Sequence, residues 1–405
     1  MLPRSDASEN PRTSRKENRV PATDFPRHAS VVVIGGGVVG LSTAYHLAKS
    51  GVRDVVLVEK GEFGSGSTCK AAGGVRAQFS DAVNIELGLR SLATFESFQR
   101  EFGQEIDLHQ VGYLFLLDRP EHVAAFEKNV IRQNQLGVPS RMIEVDEAKR
   151  LSPLISTAGL LAAAYSPTDG HCTPESVVLG YASAARRAGA RLLRGTTVVG
   201  IVHDGDVIAA VQTDRGIVQT DTVICTAGPW SQAIGEMAGV ALPVVPIRRQ
   251  IVTTEPMPGL DPNTPFTIDF ATSLYFHGEG GGLLIGMSDP DETPGFKLQR
   301  SDDWLPRLGE AIENRAPAIG EVGITSGWAG LYEMTPDHNA VIGEADQVSR
   351  FLYATGFSGH GFLMGPAVGE VMRDLYHRRA PVVDVSSLDV RRFRGSDLRP
   401  ELNIV

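Results

Sequence analysis

Cysteine is scarce in this chain of 405 residues: Cys69, Cys172 and Cys225 are the whole supply. An odd, sparse count outside any CxxC or His-rich pattern gives no disulfide framework and no metal site, and it fits a reducing compartment such as the cytoplasm. Positive charge is also in deficit. Lys and Arg total 38 against 48 Asp and Glu, for a net charge of -10. That balance argues against nucleic acid or an anionic membrane as the main partner. No apolar run approaches the roughly 18 residues that span a bilayer. No nucleophile-elbow pattern supports hydrolase chemistry, and there is no internal repeat.

What is present describes an ordinary soluble globular protein of about two domains, 42% hydrophobic and 21% charged. The first 29 residues are polar, charged and Pro-containing. They read as a disordered tail or an upstream start, and Asp6, Glu9, Glu17 and Asp24 argue against an organelle transit peptide.

Val31–Ile34 is a continuous β-branched run, as expected of a strand buried on both faces. A glycine turn, 35–40, leads into a helix over 41–50, and a second buried strand follows at Val55–Val58. Strand–helix alternation returns in the middle and near the end, around a strand-rich block over 242–286. Asp302–Arg315 reads as a helix broken by Pro306. The expected fold class is α/β: a discontinuous, doubly wound Rossmann-like domain with an α+β second domain on an antiparallel or mixed sheet. The expected division is a tail over 1–29, the first domain over 30–75, 150–230 and 325–385, a substrate domain over 76–149 and 231–324, and a C-terminal extension over 386–405.

Gly35-x-Gly37-x-x-Gly40 follows a buried strand and opens a helix, which is the context a dinucleotide fingerprint needs. Gly35 allows the tight turn, Gly37 lets a pyrophosphate approach the backbone, and Gly40 lets the helix pack on the strand. The helix N-terminus supplies N–H groups and positive dipole to phosphate. Glu59, at the end of the second strand, suits ribose hydroxyls and repels a 2′-phosphate, which disfavours NADP. The small-residue stretch from Lys60 to Arg76 includes Ser65, Ser67 and Thr68, which suit the second half of a long dinucleotide.

Three stretches, "VVVIGGGVVGLSTAYHLAKSGVRDVVLVEKGEFGSGST", "VICTAGPW" and "GFSGHGF", resemble the FAD-dependent amine oxidoreductases. This is the superfamily of D-amino acid oxidase, glycine oxidase and sarcosine oxidase or dehydrogenase, and the resemblance is especially to its sarcosine oxidase β-subunit-like and dehydrogenase-like members. It covers nearly all of Val31 to Arg379. It implies FAD at the domain interface, held by Gly35, Gly37, Val38, Val39, Gly40, Glu59, Lys60, Ser65, Ser67, Thr68, Ala72, Gly73, Val198, Ala227, Gly228, Trp230, Gly356, Ser358, Gly359, His360, Gly361 and Phe362. The last glycine turn would aim a helix N-terminus at the flavin, where negative charge develops on reduction. His360 faces the ring as a cation or merely caps the turn.

The implied reaction is oxidation of a C–N bond in an N-methyl, D- or cyclic secondary amino acid such as sarcosine, glycine or proline. Hydride passes to flavin N5, and the imine product hydrolyses. Arg76 lies where the family keeps a carboxylate-binding arginine, the plain alternative being a surface ion pair. Arg248 and Arg249 are further candidates that alternate faces of one strand. Tyr332 matches a family active-site tyrosine and otherwise reads as a core aromatic; Tyr275 is another candidate.

Several departures shape the expectation. Gly330 stands where covalent-flavin members carry a cysteine, and His171 is offset from the other attachment position, so FAD should be non-covalent. Leu363 replaces a carboxylate-binding lysine, which favours a substrate bulkier or differently anchored than sarcosine. Leu284 replaces an oxygen-activating lysine, and no Lys or Arg lies between Arg249 and Lys297. Unless His277 or His360 supplies the cation, a dehydrogenase is expected, passing electrons to a quinone, an electron-transfer flavoprotein or a partner subunit. A same-fold enzyme for hydroxy acids and an FAD-binding subunit that works only with a partner stand as alternatives.

Overall fold

The computed structural model describes residues 25–395 and 398–404. The expected tail lies outside the described residues up to position 24. Its last residues are held in place: the Gln219 amide donates to the Arg27 carbonyl, and the Ala29 amide donates to the Gln219 carbonyl.

Val31–Ile34 lies inside a six-stranded sheet with the spatial order Val341–Glu344, Phe351–Thr355, Val223–Cys225, Val31–Ile34, Val55–Val58, Arg191–Leu193. All neighbours pair in parallel except the edge pair of Val341–Glu344 with Phe351–Thr355. The unbroken apolar run follows from period-2 alternation into two cores. Val31 and Val33 pack on the helical side with Leu41, Phe98, Tyr181 and Val368. Val32 and Ile34 pack on the other side with Ile201, Val211 and Val218. That second face is covered by a three-stranded antiparallel sheet spanning 198–219, where the doubly wound expectation placed helices. The Asp204-Gly205 turn makes its first hairpin, and short alternating strands close over the sheet without a helix.

On the helical side, Val38–Lys49 crosses the last helix, Gly361–Tyr376, at close range. A Cβ on Gly369 would sit 2.1 Å from Ser42 Oγ, so only glycine permits this approach. Phe98 and Tyr181 meet edge to face at 5.3 Å in the same core. Truncating Phe98 to Ala would cost about 3–5 kcal/mol through lost burial and a cavity.

An eight-stranded mixed sheet forms the second layer. Its order is Ile324–Met334, Val245–Thr254, Gly282–Met287, Leu274–Glu279, Phe266–Asp269, Tyr113–Leu117, Ala162–Ser166, Arg141–Ile143. Ala162–Ser166 and Ile324–Met334 belong to this sheet, although the expected first-domain segments 150–230 and 325–385 include them. Their place is set by pairing with Tyr113–Leu117 and Val245–Thr254, which composition does not show. The helix expected over 302–315 runs Leu305–Arg315. Pro306 sits in its first turn, where a missing N–H costs nothing, so it starts the helix rather than breaking it. No described helix is long and apolar enough to cross a membrane.

Candidate functional site

One long cavity of about 520 Å³ runs between the two sheets. Its first end is the glycine turn. Gly35 has φ +112°, and a Cβ there would strike the Thr226 carbonyl at 2.3 Å. A Cβ on Gly40 would lie 1.9 Å from the Gly35 carbonyl oxygen. The helix behind the turn has no acidic residue in its first turn to cancel its positive end. Val38 N–H donates to Thr68 Oγ1 at 3.1 Å. Both Glu59 oxygens are pinned, accepting from the Gly36 and Gly61 amides at 2.7 Å each. Lys60 lies over the Trp230 ring at 3.4 Å, and burial lowers its pKa.

All the residues expected around the cofactor line this cavity except Gly40 and Gly356. Gly40 serves helix–strand packing. Gly356, at φ +73°, turns the chain against Thr335, with a Cβ position only 2.4 Å from Thr335 Cγ2. Its place in the loop is steric and conformational, and it does not face the cavity.

At the far end the cavity is walled by Arg76, Arg249, Tyr275, Tyr332 and His360. Burial raises both tyrosine pKa values, so each phenol keeps its proton. Tyr332 packs against Gly359, where a Cβ would lie 2.5 Å from its Cε2. Arg76 is buried, with its guanidinium 4.0 Å from the Phe79 ring centroid, and its two Nη groups donate to the Gln78 and Asn403 carbonyls. His360 packs edge-on to Phe79 at 5.0 Å. Burial first, then Arg76, drives its pKa well below the usual histidine range. The imidazole is therefore neutral, which removes the cation reading. Its Nε2 is buried without a partner among the described residues.

The two adjacent arginines separate cleanly. Arg248 pairs with Glu292 at 2.6 Å. Arg249 turns to the cavity, 5.2 Å from the Tyr332 ring centroid. Leu284 shares a buried cluster with Tyr275, Ile251 and Ile268, and Leu363 lines the cavity. His171 is stacked between His109 at 5.2 Å and His277 at 4.1 Å and does not line the cavity. Burial also lowers His277 to about 4, so it carries no charge at neutral pH.

Sequence reading missed Glu333. It lines the cavity, and it accepts from Gly356 N–H at 2.9 Å and from Thr355 Oγ1 at 2.8 Å. Burial raises its pKa to about 7. Its position next to Tyr332 in "LYEMTPD" was the available signal, but strand alternation pointed it away from the site.

A family model described as FAD dependent oxidoreductase matches residues 30–375. The chain belongs to this family. FAD is its cofactor, and the donor set fits: a helix N-terminus behind an open glycine turn, a pinned carboxylate at the second strand's end, and a cavity long enough to reach both sheets. Mouse dimethylglycine dehydrogenase, a mitochondrial protein, is 31% identical over 93% of this chain and 46% of its own length. Mouse sarcosine dehydrogenase, also mitochondrial, is 32% identical over 93% of this chain and 42% of its own. The chain thus spans less than half of these relatives. The solved L-proline dehydrogenase from P. horikoshii superposes with a TM-score of 0.87 at 35% identity, covering 93% of this chain and 100% of that one.

Proposed function

We propose that this chain oxidises the C–N bond of an N-alkylated amino acid, acyclic or cyclic, as a dehydrogenase. The observation that carries the reading is the cavity itself. It joins a dinucleotide turn at one end to a pocket walled by two protonated tyrosines, two arginines and a neutral histidine at the other. The three relatives named above act, by their names, on dimethylglycine, sarcosine and proline.

Bound FAD supplies a two-electron acceptor. The chain's own residues do the rest by position. An arginine takes the substrate carboxylate. Tyr275 and Tyr332 wall the reacting carbon from water and offer O–H donors. His360 is neutral, and its buried Nε2, without a partner among the described residues, can take a hydrogen bond from the substrate nitrogen. Being neutral, it neither repels nor replaces the amine's charge. These contacts hold the C–H bond beside nitrogen toward the cofactor site; the imine that FAD would leave by taking a hydride adds water to give a carbonyl and an amine, which stay in one molecule when the substrate is cyclic. We assign the acceptor to a quinone, an electron-transfer flavoprotein or a partner subunit, because Leu284, neutral His277 and neutral His360 supply no cation where the resemblance puts an oxygen-activating lysine, and the cavity-wall arginines are taken by backbone carbonyls and the substrate carboxylate. Anaerobic flavin bleaching across N-methylglycine, N,N-dimethylglycine, proline, D-amino acids and 2-hydroxyglutarate tests the reading. Bleaching by the hydroxy acid alone would overturn it.

A further inference from the structure

We propose that Arg249, rather than Arg76, anchors the substrate carboxylate; the assignment rests on the amino-acid reading above. Two observations separate the arginines. Arg76 is committed from behind. Its Nη groups go to the Gln78 and Asn403 carbonyls, and its plane lies on Phe79. The segment carrying Asn403 is itself fixed, because Glu401 accepts from Ser80 N–H at 2.8 Å, Ser80 Oγ at 2.7 Å and Asn84 Nδ2 at 2.9 Å. Arg76 is thereby a structural cation in the cavity wall.

Arg249 is the opposite case. Among the described residues only its Nη1 is engaged, by the Arg248 carbonyl at 3.1 Å. Its Nε is buried with no partner among the described residues. The Nε side of a guanidinium is one of the two edges that take a carboxylate through paired hydrogen bonds. No described carboxylate pairs with it, in contrast to Arg248 and Glu292. A buried N–H without an acceptor is costly, and a ligand that satisfies it recovers that cost as affinity. Tyr332 and Ile251 beside it exclude water and strengthen the contact. The class of substrate that fits carries one carboxylate, close to the nitrogen that is oxidised.

The test compares each acid with its decarboxylated amine: proline with pyrrolidine, N-methylglycine with dimethylamine, N,N-dimethylglycine with trimethylamine. In Arg249→Met the kcat/KM for the preferred acid should fall by about 100-fold or more while that for the amine stays, and Arg249→Lys should restore part of the difference. FAD content and melting temperature, unchanged from the parent protein, establish that each variant is folded. Should Arg249→Met lose FAD, Arg249→Lys carries the test: KM raised for the acid alone supports the assignment, and KM unchanged for both overturns it. A discrimination that survives Arg249→Met but collapses in Arg76→Met puts the anchor on Arg76. A parent enzyme that does not favour any acid over its amine overturns the amino-acid reading itself, and with it this assignment.

Discussion

Glu333 accepts a 2.9 Å hydrogen bond from the Gly356 amide, across 23 residues of chain and at the mouth of the last helix. The carboxyl is buried against the cavity with its pKa raised from 4.5 to about 7. Between those values the native protein holds a proton that the unfolded chain has released. Stability of the FAD-free protein should therefore fall as pH rises through that window and level off above it. Asp169, raised to about 7 by burial, contributes with the same sign. Denaturant unfolding from pH 4.5 to 8 should show a shallower slope in Glu333→Gln than in the parent; identical slopes would remove Glu333 as a titrating group.

Gly37→Val and Glu59→Ala should each impair FAD retention. Gly37 is the N-cap of the first helix, and its Cβ position already lies 3.1 Å from Thr68 Oγ1. Glu59→Ala strands the Gly36 and Gly61 amides and removes charge-assisted bonds worth roughly 1.5–3 kcal/mol each. The ratio of visible flavin absorbance to protein absorbance after gel filtration reads the loss. Full occupancy in both variants would move the adenosine site elsewhere.

FAD should be held without a covalent bond. Gly330 offers no nucleophile, and stacked His171 lies outside the cavity. Acid precipitation should leave a yellow supernatant, whereas flavin fluorescence on the denatured chain would contradict the expectation.

Reoxidation by air should be slow compared with reduction of an artificial dye. Leu284→Lys should raise the oxygen rate by placing a cation on the sheet face that carries Tyr275. Stopped-flow mixing of substrate-reduced enzyme with air-saturated buffer measures this. Oxygen consumption as fast as turnover in the parent protein would make it an oxidase.

Local signals carried the first half of the site. The run Val31–Ile34, the glycines after it and Glu59 lie within 29 positions of one another, and near-neighbour sterics make their meaning readable without a fold. Gly35 must be glycine because its φ is positive and the Thr226 carbonyl is in the way. "GFSGHGF" was legible as a turn into a helix for the same reason, although only the packing against Thr335 shows that Gly356 faces away from the cavity.

The other half depended on register. Arg248 and Arg249 are neighbours, and alternation requires that one face each way, but it does not say which. The pairing of Arg249 with Gly330 and of Gln250 with Met287 settles that, turning Arg248 to Glu292 and Arg249 to the cavity. Arg76 meets Asn403 across 327 residues, and His360 loses its charge because Phe79 and Arg76 enclose it. By itself the sequence determined the buried strands, the glycine turn and a dinucleotide site, since these follow from backbone geometry and near-neighbour chemistry, while the choice of FAD came from its resemblance to a family. Only the tertiary structure decided which arginine is free, which histidine is neutral and which carboxyl titrates, because hydrogen-bond partners and burial are supplied by other elements, from 22 to 327 positions away.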